Sequence, residues 1–124
     1  MSLQILVVDD SSSMRAVIRI ALTRAGYEVI EADDGDTALK LLDGRRIDLI
    51  VSDVNMPIMD GLTFVGHLRE GTAYRFTPVV MITTESSEEI RMEGKRRGVN
   101  VWIIKPFKPE QLLSAIALLT CSRV

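Results

Sequence analysis

Ile47-Asp48-Leu49-Ile50-Val51-Ser52-Asp53-Val54-Asn55-Met56-Pro57-Ile58-Met59-Asp60-Gly61 is the stretch on which the fold turns. The run Ile47 to Val51 has the length and apolar content of a buried strand, and it closes on Ser52. Asp53 then leads into a segment of turn-forming residues, with Asn55, Pro57, Asp60 and Gly61. A carboxylate set where a buried strand meets solvent has two readings. Asp53 is either an acceptor for a phosphoryl group or a turn or N-capping aspartate. The stretch alone leaves both open.

On the N-terminal side, Ile5 to Val8 is a second short apolar run, ended by Asp9 and Asp10. Ser11, Ser12 and Ser13 are N-cap candidates for a helix striped by Met14, Val17, Ile18, Ala21, Leu22 and Ala25, with Gly26 as its C′ residue. Tyr27 to Glu31 alternates in part, as an edge strand would. Asp33-Asp34-Gly35 opens a short helix with Ala38, Leu41 and Leu42 inward, stopped by Gly44.

On the C-terminal side, Leu62, Val65 and Leu68 mark a third helix ending near Gly71. Pro78 to Ile82 is an apolar strand closing on Thr83 and Thr84. Ser86 or Ser87 caps a fourth helix, with Glu88 and Glu89 in its first turn and Lys95, Arg96 and Arg97 in its last. Its main apolar side chains are Ile90 and Met92, so it has the least to bury and is predicted to be the most mobile element. Val99 to Ile104 is the fifth strand, and Pro109, Leu112, Leu113, Ile116 and Leu119 belong to the last helix.

Five βα units in succession call for a doubly wound α/β fold: a five-stranded parallel sheet with helices on both faces. The polar second strand suits an edge, which favours the order 2-1-3-4-5 of the flavodoxin-like arrangement. Residues 1–124 read as one domain with no output module. At 124 residues, 26% charged and a net charge of −2, the chain lacks the basic face of a nucleic-acid binder. No apolar run reaches a membrane span, and no signal peptide precedes the first strand, so a cytoplasmic protein is expected. The single cysteine, Cys121, has no internal partner and is read as incidental.

In such a sheet, ligands bind beyond the carboxyl ends of the strands. The polar residues there are Asp9, Asp10, Asp53, Thr83, Thr84 and Lys105. Taken singly each has a plainer reading: helix cap, surface lysine, strand-terminal threonine. Their convergence is the specific signal. Two like charges about 4 Å apart repel by about 4 kcal/mol at an effective dielectric near 20, so three carboxylates at one rim call for a hard cation such as Mg²⁺. With no Cys/His cluster, zinc is not expected. Asp53 is then the nucleophile, and Lys105 and Thr83 can bind phosphoryl oxygens. Asp33 and Asp34 are assigned to capping, His67 to the surface, and Met56 and Met59 to packing of the loop.

With Val7-Val8-Asp9-Asp10-Ser11, the Asp53–Gly61 stretch, Thr83 and Lys105-Pro106-Phe107, the sequence resembles the receiver domain of two-component response regulators over essentially its whole length. Among receivers it is most similar to the CheY-like single-domain chemotaxis regulators, through Asp10-Ser11-Ser12-Ser13-Met14-Arg15 and Asn55-Met56-Pro57. The resemblance implies that Asp53 takes phosphate from a histidine kinase, with Mg²⁺ held by Asp10, Asp53 and the Asn55 backbone carbonyl and by Asp9 through water. It implies that Thr83 and Lys105 bind the acyl phosphate, that Lys105-Pro106 is cis, and that Asn55 and Glu85 modulate self-dephosphorylation. Trp102 stands at the switch aromatic, commonly Tyr or Phe. The fourth helix, fifth strand and fifth helix would form the output face for a downstream protein target, the flagellar motor switch being the leading expectation. Gly94, Lys95, Arg96, Arg97 and Gly98 give that helix less alanine than the family usually has.

The expected protein is a monomeric regulator, not an enzyme in the ordinary sense. A phosphohydrolase working through an aspartyl-phosphate is a second reading, but such enzymes commonly carry Asp where Asn55 stands. A flavodoxin-like or nucleotide-binding module is a third, without a Gly-x-Gly-x-x-Gly after the first strand. A receiver acting as a phosphate sink is a fourth.

Overall fold

The computed structural model describes residues 2–84 and 87–120. The elements alternate strictly: β1 (Gln4–Val8), α1 (Ser12–Arg24), β2 (Glu28–Ala32), α2 (Gly35–Leu41), β3 (Leu49–Asp53), α3 (Gly61–Glu70), β4 (Val79–Thr83), α4 (Glu88–Arg96), β5 (Val101–Ile104) and α5 (Pro109–Thr120). All strand pairs are parallel and the order is β2-β1-β3-β4-β5, as the polarity of the second strand predicts. Every residue of β3 and β4 is buried, whereas β2 shows only Ala32 fully covered.

Alternation along the strands divides the core in two. Ile5, Val7, Leu49, Val51, Val80, Ile82 and Ile103 face Ile18 and Leu22 of α1 and Leu112, Ala115 and Ile116 of α5. Leu6, Val8, Ile50, Val79 and Met81 face Ala38 of α2 and Phe64, Val65 and Leu68 of α3. The helical starts are set by side chains: Ser11, Asp34, Asp60 and Ser87 each accept the amide three residues on. Asp34 thus caps as expected.

The structure moves a boundary of every strand by a residue or two, most informatively in the third and fifth strands. The third strand runs from Leu49 to Asp53, not from Ile47, because Asp48 leaves the ladder: its carboxylate accepts the Gln4 amide at 2.7 Å while its own amide donates to the Gln4 carbonyl at 2.8 Å. Asp53 consequently ends the strand, in register with Ile82, and does not begin a loop. The fifth strand starts at Val101, since Asn100 spends its side chain on the Val79 amide at 2.8 Å. Val17 of the α1 stripe is half exposed, the covered residues being Ile18 and Leu22. Phe64, absent from the expected stripe of α3, is the largest wholly buried side chain.

The fourth helix does bury little: Met92 is exposed and Ile90 half-buried, and its buried residue is Gly94. A Cβ at Gly94 would lie 2.2 Å from the Trp102 ring, so the indole rests directly on the helix backbone. Among the described residues no helix is long and apolar enough to cross a membrane. Truncating Phe64 to Ala should cost about 3–5 kcal/mol in urea unfolding, with an unchanged slope.

Candidate functional site

The site lies where the carboxyl ends of β1, β3, β4 and β5 meet. Asp9 follows β1 directly and is 2% exposed; its carboxylate accepts the Ser11 amide at 2.8 Å as the chain turns into α1. Asp10, one residue on, points to solvent. Asp53 is 6% exposed, and its carboxylate accepts the Asn55 amide at 3.3 Å. One oxygen from each of Asp9, Asp10 and Asp53 can be chosen so that all lie within 4.8 Å of one another.

Lys105 answers these charges. Its Nζ is 3.1 Å from Asp53 Oδ2 and 3.8 Å from Asp9 Oδ2. The lysine is aimed by its own backbone, because its amide donates to the Thr83 carbonyl at 2.8 Å at the end of the β4–β5 ladder. The Lys105-Pro106 bond is cis, as the family pattern implies. Thr83, fully buried, ends β4 beside Ile104 of β5, and Ile82, one residue earlier, pairs with Asp53. Asn55 is exposed at the mouth, Trp102 is half-buried one element away, and Glu85 and Cys121 lie outside the described residues.

Three carboxylates against one ammonium leave the rim strongly acidic. The strain falls on Asp9. Burial above all, and the neighbouring Asp53 and Asp10 charges, raise its pKa above the ordinary 3.8, against the opposing pull of the Ser11 amide and Lys105. The donor set is all oxygen, without sulfur or imidazole, and two of its three members are buried. That chemistry fits a hard divalent cation.

Several residues that shape the site escaped the sequence reading. Gly61 is the first: its amide donates to the Val54 carbonyl at 2.7 Å, and a Cβ there would stand 2.2 Å from the Asp53 carbonyl oxygen. The α3 turn thus closes onto the strand carrying Asp53, and no side chain fits between. Ile58 is the second, an exposed β-branched residue at φ 71° in a tight turn where Met59 donates to the Pro57 carbonyl at 2.7 Å. Such a conformation costs about 1–3 kcal/mol, and it sits in the loop leaving Asp53. Arg15 is the third: it donates to the Asp9 carbonyl and pairs with Glu31 at 3.3 Å, joining α1 to the ends of β1 and β2. Glycine at eight residues beyond an aspartate was visible, but its contact was not.

Comparison with known proteins gives one answer. A family model for the response regulator receiver domain matches residues 5–117. The chain is 41% identical to the chemotaxis protein CheY1 of Helicobacter pylori over 112 residues, covering 89% of this chain and 90% of that protein. It is 36% identical to the phosphate regulon transcriptional regulatory protein PhoB of Escherichia coli, covering 94% of this chain but 51% of that protein. Among solved structures, that of the chemotaxis protein CheY4 of Vibrio cholerae superposes with a TM-score of 0.92 at 45% identity, covering 96% of this chain and 99% of that one.

Above its raised pKa, Asp9 is a charged buried group that costs stability. Between pH 3.8 and that value the folded protein holds a proton the unfolded chain has lost, so stability from this group falls as pH rises. Asp9→Asn, which keeps an acceptor for the Ser11 amide, should raise stability by about 1 kcal/mol, or roughly 4 °C, in EDTA at pH 7 and flatten that slope. Gly61→Ala should do the reverse, costing about 3 kcal/mol by chemical denaturation, because its methyl group meets backbone.

Proposed function

The chain belongs to the response regulator receiver family, and we propose that Asp53 is its phosphoryl acceptor, charged by a histidine kinase. The observation that carries this reading is Lys105 Nζ at 3.1 Å from Asp53 Oδ2, inside a cluster of three carboxylates at the carboxyl rim of the sheet. An Asp53 carboxylate oxygen attacks the phosphorus of a phosphohistidine protonated on its other ring nitrogen; the new P–O bond forms as the N–P bond breaks, and the histidine leaves as neutral imidazole. Lys105 offsets charge on the phosphoryl oxygens, and the Thr83 hydroxyl donates to one of them. A Mg²⁺ ion held by Asp9, Asp10, Asp53 and the Asn55 carbonyl would neutralise the rest of that charge. Water later hydrolyses the acyl phosphate, with Asn55 and Glu85 at the positions that set its lifetime.

The protein acts as a regulator more than as a turnover enzyme. Asn55 has no acidic proton to give a substrate's leaving group, which sets the site apart from that of an aspartyl-phosphate hydrolase. The added charge draws Thr83 toward the phosphoryl oxygens, Trp102 follows, and α4 readjusts as a population shift. The α4–β5–α5 face then binds a downstream protein. Likeness to chemotaxis proteins over nearly their full length supports a role in chemotaxis, with the flagellar motor switch as the target.

Trp102 is the single tryptophan of the chain and provides the readout. With Mg²⁺ present, acetyl phosphate should label the protein stoichiometrically, and emission should change in step. Asp53→Asn should abolish both. Labelling that survives Asp53→Asn would show the acceptor to be another residue.

A further inference from the structure

Two guanidinium groups cross between α3 and α4 in opposite directions. Arg69, near the end of α3, donates to the carbonyls of Arg97 at 3.3 Å and Gly98 at 2.8 Å, just beyond α4, and to those of Tyr74 at 2.8 Å and Thr77 at 2.7 Å. Arg97, at the C-cap of α4, returns the contact: its Nη1 donates to the Leu62 carbonyl in the first turn of α3 at 2.8 Å. Its Nε is held by Glu93 at 2.8 Å, which orients the guanidinium. A Cβ at Gly66 would lie 3.0 Å from Arg97 Nη1, so a side chain there would crowd the guanidinium and require it to shift.

Leu62 is no ordinary acceptor. It adjoins Gly61, whose amide is bonded to Val54 and whose α-carbon abuts the Asp53 carbonyl. The sequence of contacts Arg97–Leu62–Gly61–Asp53 therefore links α4 to the backbone of the acceptor strand by a route separate from Thr83 and Trp102. Together with the bonds from Arg69, it anchors a helix that has few apolar contacts.

We infer that Arg97 is a positioning residue for the phosphoryl-acceptor site: its bond to the Leu62 carbonyl, made beside Gly66, holds α4 in the arrangement where Trp102 rests on Gly94. This rests on the receiver reading above. Phosphoryl-driven readjustment of α4 has to release the bond. Because coupling between sites is reciprocal, a contact that favours the arrangement with Trp102 on Gly94 weakens binding of a phosphoryl mimic by the same factor.

The test is a titration with beryllofluoride and Mg²⁺, read by Trp102 emission and by fluorine NMR, on the wild type, Arg97→Ala and Gly66→Ala. Gly66→Ala keeps the arginine, its charge and Glu93, and alanine is the better helix former, so α3 itself is not weakened. Both variants should lower the half-saturating concentration by about fivefold. Unchanged or weaker binding in Gly66→Ala would overturn the inference even if Arg97→Ala failed to fold. A wild-type protein that takes up no beryllofluoride would remove the receiver reading itself, and the two failures are distinct.

Discussion

Asp9 and Asp53 are buried at the ends of neighbouring strands, and the ammonium of Lys105, just past β5 and so two places from β3 and three from β1, reaches both. The geometry at the rim serves this contact. It needs β1 and β3 in parallel register, Thr83 to direct the Lys105 amide, and Gly61 to let the third helix close against Asp53. Without the ammonium, two carboxylates in a poorly solvated rim would repel by several kcal/mol, of the order of 4 at an effective dielectric of 20. With it, the rim remains acidic enough to attract a divalent cation and open enough, through exposed Asp10, to admit one.

The fourth helix is anchored differently from the others. Helices α1, α3 and α5 hold to the sheet through buried apolar side chains, whereas α4 places a glycine on the Trp102 ring and relies on Arg97 and Arg69 for attachment. Directional polar contacts break within small displacements, while a buried apolar face resists them all. Trp102 is accommodated on the helix side by Gly94, so the large indole and the glycine are one packing solution.

Much of this was legible beforehand. The apolar runs ending in Asp9, Asp53, Thr83 and Lys105 declared strands whose polar residues gather at one rim, since every strand of a parallel sheet points the same way. The polar second strand announced the edge. Less was legible where one residue type admits several environments. Asp9 and Asp10 are adjacent and chemically alike, yet one is buried and the other exposed, although both carboxylates reach the same cluster. Asp48 was read as part of the strand and proved to lie just before it.

By itself the sequence determined the order of elements, the parallel sheet and the set of ionisable groups at its rim, because hydrophobic periodicity and capping are local and chain direction does the gathering. Tertiary structure alone decided which carboxylate bears the desolvation, which glycines are required, and where Arg69 and Arg97 send their donors. Those depend on distances between residues far apart in the chain, such as Arg97 and Leu62, which no local pattern encodes.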